Sequence, residues 1–295
     1  MKIVRFKGGL GNQLFQYTFL KNLESCQPSS NVYADFTDYT LIDKDSIRVP
    51  RIKELKIRIN EAEKSLIKKV VIFERNTNPI RLKSKIKIGI EGVFNKKYYF
   101  EKNRAYSNLK KIKEYTYFDG YWQSWKYVFP MEKELRKEIT PRNSLSETTQ
   151  SVINIIKNES SVFVGIRCGD YLTNKKMVKH YGGFQKDYYL KAMGYMCKQL
   201  KDPTFYIFTN DLDFVKKELD LSCFNVKYRE DEDQTSDLEE LFVMGACKHA
   251  IISNSTFNWW GAWLIENKDK IVIAPKKWFH DNKPIDIVPP EWIRM

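Results

Sequence analysis

Cysteine and histidine are scarce in this chain, and that scarcity removes several readings. The 295 residues hold five cysteines and three histidines. Cys26, Cys168, Cys197, Cys223 and Cys247 are odd in number, widely spaced and without a C-x-x-C pair. Such a set is neither a disulfide framework nor a zinc site, and it fits a reducing compartment. His180, His249 and His280 are too few for a histidine-rich metal centre. No apolar run approaches the roughly 20 residues that cross a bilayer. The opening Met1-Lys2-Ile3-Val4-Arg5-Phe6 reads as a strand and not as a signal peptide, so a cytoplasmic location is expected. The two common phosphate-binding patterns, G-K-[ST] and G-x-G-x-x-G, are missing as well.

What is present points to a globular α/β protein. Hydrophobic residues make up 42% and aromatics 14%, enough for substantial cores and against global disorder. The length suits two domains of roughly 150 residues each. Lys plus Arg number 50 against 37 Asp plus Glu, a formal charge of +13 that favours anionic partners such as phosphates, nucleotides, nucleic acid or an anionic membrane. Much of the excess lies between Lys53 and Lys113. That stretch reads either as a solvated basic face or as a surface for peripheral contact with an anionic membrane.

The pattern along the chain alternates strand and helix. Lys2–Lys7 reads as a strand, Gly8-Gly9-Leu10-Gly11-Asn12 as a turn and Gln13–Leu23 as a helix. Val32–Asp35 and Tyr115–Tyr121 read as strands, Met131–Ile139 as a helix, and residues 46–113 as helices and loops. Polar residues 141–149 read as a linker, dividing the chain into domains of residues 1–145 and 146–295. Beyond it, strands are expected at Ser161–Ile166, Thr204–Phe208, Asn225–Tyr228, Ala250–Ser253 and Lys270–Ala274. Helices are expected at Ser151–Lys157, Tyr188–Leu200, Phe214–Leu219, Leu238–Cys247 and Trp259–Glu266. Such alternation implies mostly parallel sheets that bind ligands at the carboxyl ends of their strands.

Five groups of residues carry chemistry. In the glycine turn, Gly9, Gly11, Asn12 and Gln13 stand where backbone can approach an anion at a helix N-terminus; an ordinary tight turn is the alternative. After an apolar strand comes Gly165-Ile166-Arg167-Cys168-Gly169-Asp170-Tyr171. There Arg167 can clamp a diphosphate, and Asp170 can hold that arginine or act on a hydroxyl; a structural ion pair is the alternative. Asn210 and Asp211 follow another strand. Asn254, Ser255, Thr256 and Phe257 follow a third and open a helix, where they can donate hydrogen bonds to phosphate. Trp259, Trp260 and Trp263 of that helix are expected in the core. Glu239 and Glu240, one helix earlier, either accept from guanine N–H groups or face solvent.

Together these segments resemble the α-1,2-fucosyltransferase family over nearly the whole chain. The resemblance rests on Gly8 to Tyr17, Gly120-Tyr121-Trp122-Gln123-Ser124 with Lys126-Tyr127, the block from Cys247 to Leu264, Pro275 with Trp278-Phe279, and Pro290-Glu291-Trp292. It implies a GT-B-like architecture of two Rossmann-like domains, with mostly parallel sheets facing across a cleft. It also implies a GDP-fucose donor, a glycan acceptor, inversion at the anomeric carbon and no required metal or other cofactor. Arg167 and Asp170 would be catalytic. Gly9, Gly11, Asn12, Gln13, Asn210, Asp211, Glu240, Asn254, Ser255, Thr256 and Phe257 would contact the donor. The family pattern His-x-Arg-Arg-Gly-Asp-Tyr is changed in two places, to Gly165 and Cys168, and a usual Asp is Glu240 here. Those changes keep open a glycosyltransferase of the same fold with another donor or linkage. A basic nucleic-acid binder finds no recognition motif in the chain. Residues 173–185 read as an acceptor-side or mobile loop.

Overall fold

A computed structural model describes residues 1–40, 49–72, 90–91, 94–102, 104–168, 175–229, 236–281 and 284–295. The chain forms two compact units, Met1–Arg142 with Lys283–Ile287, and Asn143–Asn282 with Val288–Met295. Each is built on a wholly parallel sheet, as the alternating pattern leads one to expect.

The first unit carries strands β1 (Lys2–Arg5), β2 (Val32–Asp35), β3 (Tyr98–Phe100) and β4 (Tyr117–Asp119), in the order β2-β1-β4-β3. Helix α1 (Leu10–Cys26) follows β1 and buries Leu14, Phe15, Phe19, Leu20 and Leu23. It starts earlier than Gln13 because Gly9 is its extended N-cap residue and Gly11 lies inside it. The strand expected over Tyr115–Tyr121 is shorter, since Gly120 and the positive φ of Trp122 (56°) turn the chain. β3 was not legible as a strand. It is three residues long and stands between Lys97 and Glu101, so it shows no alternation of its own. Short helix α2 (Trp125–Val128) ends this segment.

The second unit carries β5 (Ser161–Ile166), β6 (Thr204–Thr209), β7 (Val226–Tyr228), β8 (His249–Ile251), β9 (Val272–Ala274) and β10 (Ile293–Arg294), in the order β10-β9-β8-β5-β6-β7. Central β5 is buried at all six positions, as its unbroken apolar run dictates. Helices α3 (Glu147–Asn158), α4 (Lys186–Gln199), α5 (Asp237–Ala246) and α6 (Thr256–Leu264) cover the sheet. Residues 147–149, read as the end of a linker, form the first turn of α3. Ser146 caps it by accepting from Thr149 N at 3.3 Å.

The tryptophans of α6 are core, as expected. Trp259, Trp260 and Trp263 are each at most 2% exposed, and Trp259 packs on Trp292 at 5.3 Å between ring centroids. The stretch 173–185, read as a loop, contains the helix Lys175–Tyr181. Among the described residues no helix is long and apolar enough to cross a membrane.

Candidate functional site

Strand order decides where polar residues can gather. From β5 the chain proceeds to β6 and β7 on one side, then to β8, β9 and β10 on the other. The connections diverge between β5 and β8, the kind of switch point at whose strand carboxyl ends open α/β sheets bind ligands. Arg167, half-buried, follows β5 directly. Ser253, Asn254 and Ser255 follow β8 and lead into α6. Three of the expected segments are therefore neighbours at one sheet edge, with Asn210 and Asp211 following β6 on the far side of β5.

Each side chain there has a distinct job. Asn210 Oδ1 accepts from Cys168 N at 2.9 Å and fixes the turn that presents Arg167. Asp211 caps the helix Leu212–Glu218, accepting from Phe214 N at 3.0 Å. Asn254 Nδ2 donates to Tyr181 O at 2.9 Å and Trp278 O at 3.1 Å, bracing the strand end. Ser255 is the N-cap residue of α6 but makes no side-chain cap bond, and no acidic residue stands in that first turn. The Ser255 side chain thus leaves the first turn of α6 uncapped by its own hydroxyl, and a helix N-terminus of this kind favours an anion. Ser253 is buried at 3% exposure, and its hydroxyl has no hydrogen-bond partner among the described residues. A buried hydroxyl at a strand end is costly unless a ligand or water completes it.

The two departures from the family pattern have structural counterparts. A Cβ on Gly165 would stand 1.4 Å from Asn258 Nδ2, so α6 fits against β5 only because position 165 has no side chain. Cys168 is fully buried, 3.8 Å from Thr209 Oγ1, and burial raises its thiol pKa. It faces the hydrophobic interior and supplies no charge to the edge. Catalytic candidate Asp170 lies outside the described residues.

Glu239 and Glu240 open α5. Glu239 Oε1 accepts from Ser146 N at 2.6 Å, a structural tie, whereas Glu240 is half-buried in the same turn.

In the first unit the glycine turn is held from inside. Gln13 is fully buried; its Nε2 donates to Gly8 O and Val49 O, both at 3.0 Å, and its Oε1 accepts from Ile52 N at 3.0 Å. All three bonds are internal, so Gln13 shapes the turn. Gln16 was not singled out from sequence, yet its amide bonds both N and O of Lys7. Gly8 needs its positive φ of 83°, while Gly9 has an ordinary φ of −77° and open space where a Cβ would be. Gly11 is buried within α1. Asn12 Oδ1 accepts from Gln123 Nε2 at 2.8 Å, which joins the turn to the Gly120–Ser124 segment.

Beneath that turn is a buried charge cluster. Asp119 is fully buried and accepts from Arg5 Nη1 at 3.1 Å, Lys7 Nζ at 2.6 Å and Tyr98 Oη at 2.5 Å. Arg5 also pairs with Asp38. Burial pushes the Lys7 ammonium pKa down, but Asp119 and then Tyr121 outweigh it and leave it raised. Among the described residues no cluster of three His, Cys, Asp or Glu side chains is placed to hold a metal ion.

Fold and site together define a pair of parallel α/β units whose polar side chains gather at strand carboxyl ends. The chain belongs to glycosyl transferase family 11, whose model matches residues 1–295. It is 29% identical over 311 residues to the alpha-1,2-colitosyltransferase of Escherichia coli, covering 99% of this chain and 98% of that one. It is also 29% identical over 302 residues to the O-antigen biosynthesis glycosyltransferase WbnK of Escherichia coli, covering 98% of each. Similarity to galactoside alpha-(1,2)-fucosyltransferase 1 of Homo sapiens is 26% over 188 residues, covering 59% of this chain and 51% of that protein. The family resemblance drawn from sequence therefore holds, each unit has the parallel α/β plan expected of it, and the protein is a glycosyltransferase.

Proposed function

We propose that this glycosyltransferase moves L-fucose from GDP-fucose to the 2-hydroxyl of a galactoside, with inversion and without a metal. The observation that carries the reading is the divergence of the chain between β5 and β8, with Arg167 directly after β5 and the N-terminus of α6 following β8. Leaving GDP needs fixed positive charge and N–H donors, and these two elements supply both. Ser253, Ser255 and Thr256 add hydroxyls. Gly9, Gly11 and Asn12 are assigned to the donor, with Gln13 shaping their turn. Glu240 is assigned to guanine, and Asp170 to holding Arg167. Asn210, Asp211 and Asn254 position the site.

The names of two relatives share an alpha-1,2 linkage and differ in the sugar, fucosyl or colitosyl. The full-length similarity to the colitosyltransferase, with Gly165 and Cys168, favours a second reading: a colitosyl donor with the same linkage.

The experiment is donor profiling of the purified protein in EDTA. GDP-fucose, GDP-mannose, UDP-galactose, UDP-glucose and a colitosyl donor are compared by calorimetry and nucleotide release. The expected result is selective binding of GDP-fucose and GDP release accelerated by a galactoside. Preference for the colitosyl donor selects the second reading. Loss of activity in EDTA, restored by a divalent cation, would overturn the metal-free assignment.

A further inference from the structure

The N-terminal sheet has a divergence point of its own. β1 lies between β2 and β4, so the chain leaves it on one side and returns on the other. At that carboxyl edge stand Lys7 and the glycine turn after β1, and Gly120–Gln123 after β4. Glu101 directly follows β3. None of Glu101, Gly120, Tyr121 and Trp122 is used by the donor assignment above.

The segment after β4 is built around the Glu101 carboxylate. Its Oε2 accepts from Tyr121 N at 2.6 Å and Trp122 N at 3.2 Å, and its Oε1 accepts from Trp122 N at 3.2 Å. Trp122 reaches this geometry with a φ of 56°, a left-handed conformation that bulky residues rarely adopt. A Cβ on Gly120 would fall 2.6 Å from Glu101 Cβ and 2.7 Å from Oε2, so only glycine admits the carboxylate there. Backbone strain of this kind clusters at functional sites. Tyr121 is 42% exposed, with Lys7 Nζ over its ring at 4.6 Å from the centroid, and its exposed part is aromatic surface of the sort a sugar ring packs on.

We infer that Glu101 is the general base of the transfer, receiving the proton of an acceptor sugar hydroxyl seated at Tyr121. The inference rests on the glycosyl-transfer reading above. As the hydroxyl O–H bond breaks, its proton passes to the Glu101 carboxylate. The oxygen forms the new bond to the donor's anomeric carbon. The bond from that carbon to the diphosphate oxygen breaks, and its electron pair leaves with the nucleotide. Glu101 then returns the proton to water. Electrostatics suit the task. Burial raises the Glu101 pKa to about 7, against the lowering pull of the Tyr121 and Trp122 amides and of Lys7, with Asp119 adding to the rise. A base titrating near neutral pH combines ionisation with driving force for proton transfer. The groups facing it are Lys7 after β1, Asp119 of β4 with its partners Arg5 and Tyr98, Tyr121, and Tyr127 of α2.

The test compares the full-length wild type with Glu101→Gln and Glu101→Asp, using lactose as acceptor and whichever nucleotide sugar of the panel the wild type consumes. Choosing the donor this way separates a wrong donor assignment from a wrong base. Glu101→Gln is expected to lower kcat by about 100-fold or more. Binding of that donor's nucleoside diphosphate by calorimetry should stay within about twofold, because the donor-side groups are untouched. Wild-type rates should rise with pH through about 7 and then level, and that acidic limb should vanish from the residual Glu101→Gln rate. A purely structural carboxylate would instead lower the melting temperature on replacement without moving the pH profile. Transfer by Glu101→Gln at a near wild-type rate, or with the limb retained, overturns the proposal. If that variant fails to fold, the wild type decides: a flat profile from about pH 5.5 to 8.5 overturns the proposal as well. A wild type that consumes no donor of the panel overturns both this inference and the reading it rests on.

Discussion

Gly165 of β5 and Asn258 of α6 occupy one space: a Cβ on the glycine would lie 1.4 Å from the asparagine Nδ2 and 2.5 Å from its Cγ. Asn258 is 7% exposed and has little room to withdraw. Replacing Gly165 by Ala is expected to destabilise the protein by about 1–3 kcal/mol, the usual cost of overpacking. The double change Gly165→Ala with Asn258→Ala should recover most of that loss, because the asparagine Cβ alone is 3.3 Å away. Thermal unfolding of the two single variants and the double variant checks this. Additive losses would show that the two positions do not share the space.

Gly9 gives the opposite expectation. Its φ is ordinary and nothing lies within 4 Å of a Cβ added there. Gly9→Ala should change the melting temperature little, the smaller chain entropy of alanine offsetting its poorer fit as the N-cap residue. If donor approaches this backbone, turnover should still fall by about tenfold or more, since a methyl group then fills ligand space. Unchanged kinetics would remove the turn from the donor site.

Arg167 separates charge from geometry. Arg167→Ala should reduce kcat/KM by roughly 100- to 1000-fold with an unaltered circular dichroism spectrum, as expected for loss of one preorganised donor to developing charge. Arg167→Lys should restore little, because an ammonium cannot reproduce the planar fork of a guanidinium. Full recovery by lysine would mean that charge alone is required.

Asp119 tests the buried cluster. Asp119→Asn leaves Arg5 and Lys7 without their shared anion in a buried setting, although Arg5 keeps Asp38. The expected loss is about 3–5 kcal/mol, read by urea unfolding. A loss below about 1 kcal/mol would show that the cations relax to solvent.

In the second unit the clearest strands were the six-residue, largely apolar β5 and β6, whereas the two-residue β10 showed no signal of its own. β5 is found at its expected limits, and β6 differs from expectation by one residue. The first unit was harder to read. β3 and β4 are three residues each, too short for periodicity to speak. Candidate site residues divide in the same way. Arg167 and Ser255 are legible as candidates because they directly follow or precede regular elements. Glu101 is not, because what marks it is a hydrogen-bonding loop 20 residues away in sequence. Asn210, Asp211, Asn254 and Gln13 were picked as polar residues at strand ends or turns, and their side chains there brace backbone. Composition cannot tell a brace from a ligand contact.

The Asp119 cluster also answers a question of alignment. Three-residue strands offer almost no hydrophobic alternation to select one pairing over its neighbours. Sliding β4 by a single residue against β1 would turn Asp119 to the opposite face of the sheet. Arg5 and Lys7 would then be buried without their anion, and the phenol of Tyr98 would lose its acceptor. One carboxylate bonded from three directions therefore acts as a key for strand register, making misaligned sheets costly where apolar contacts alone would tolerate them.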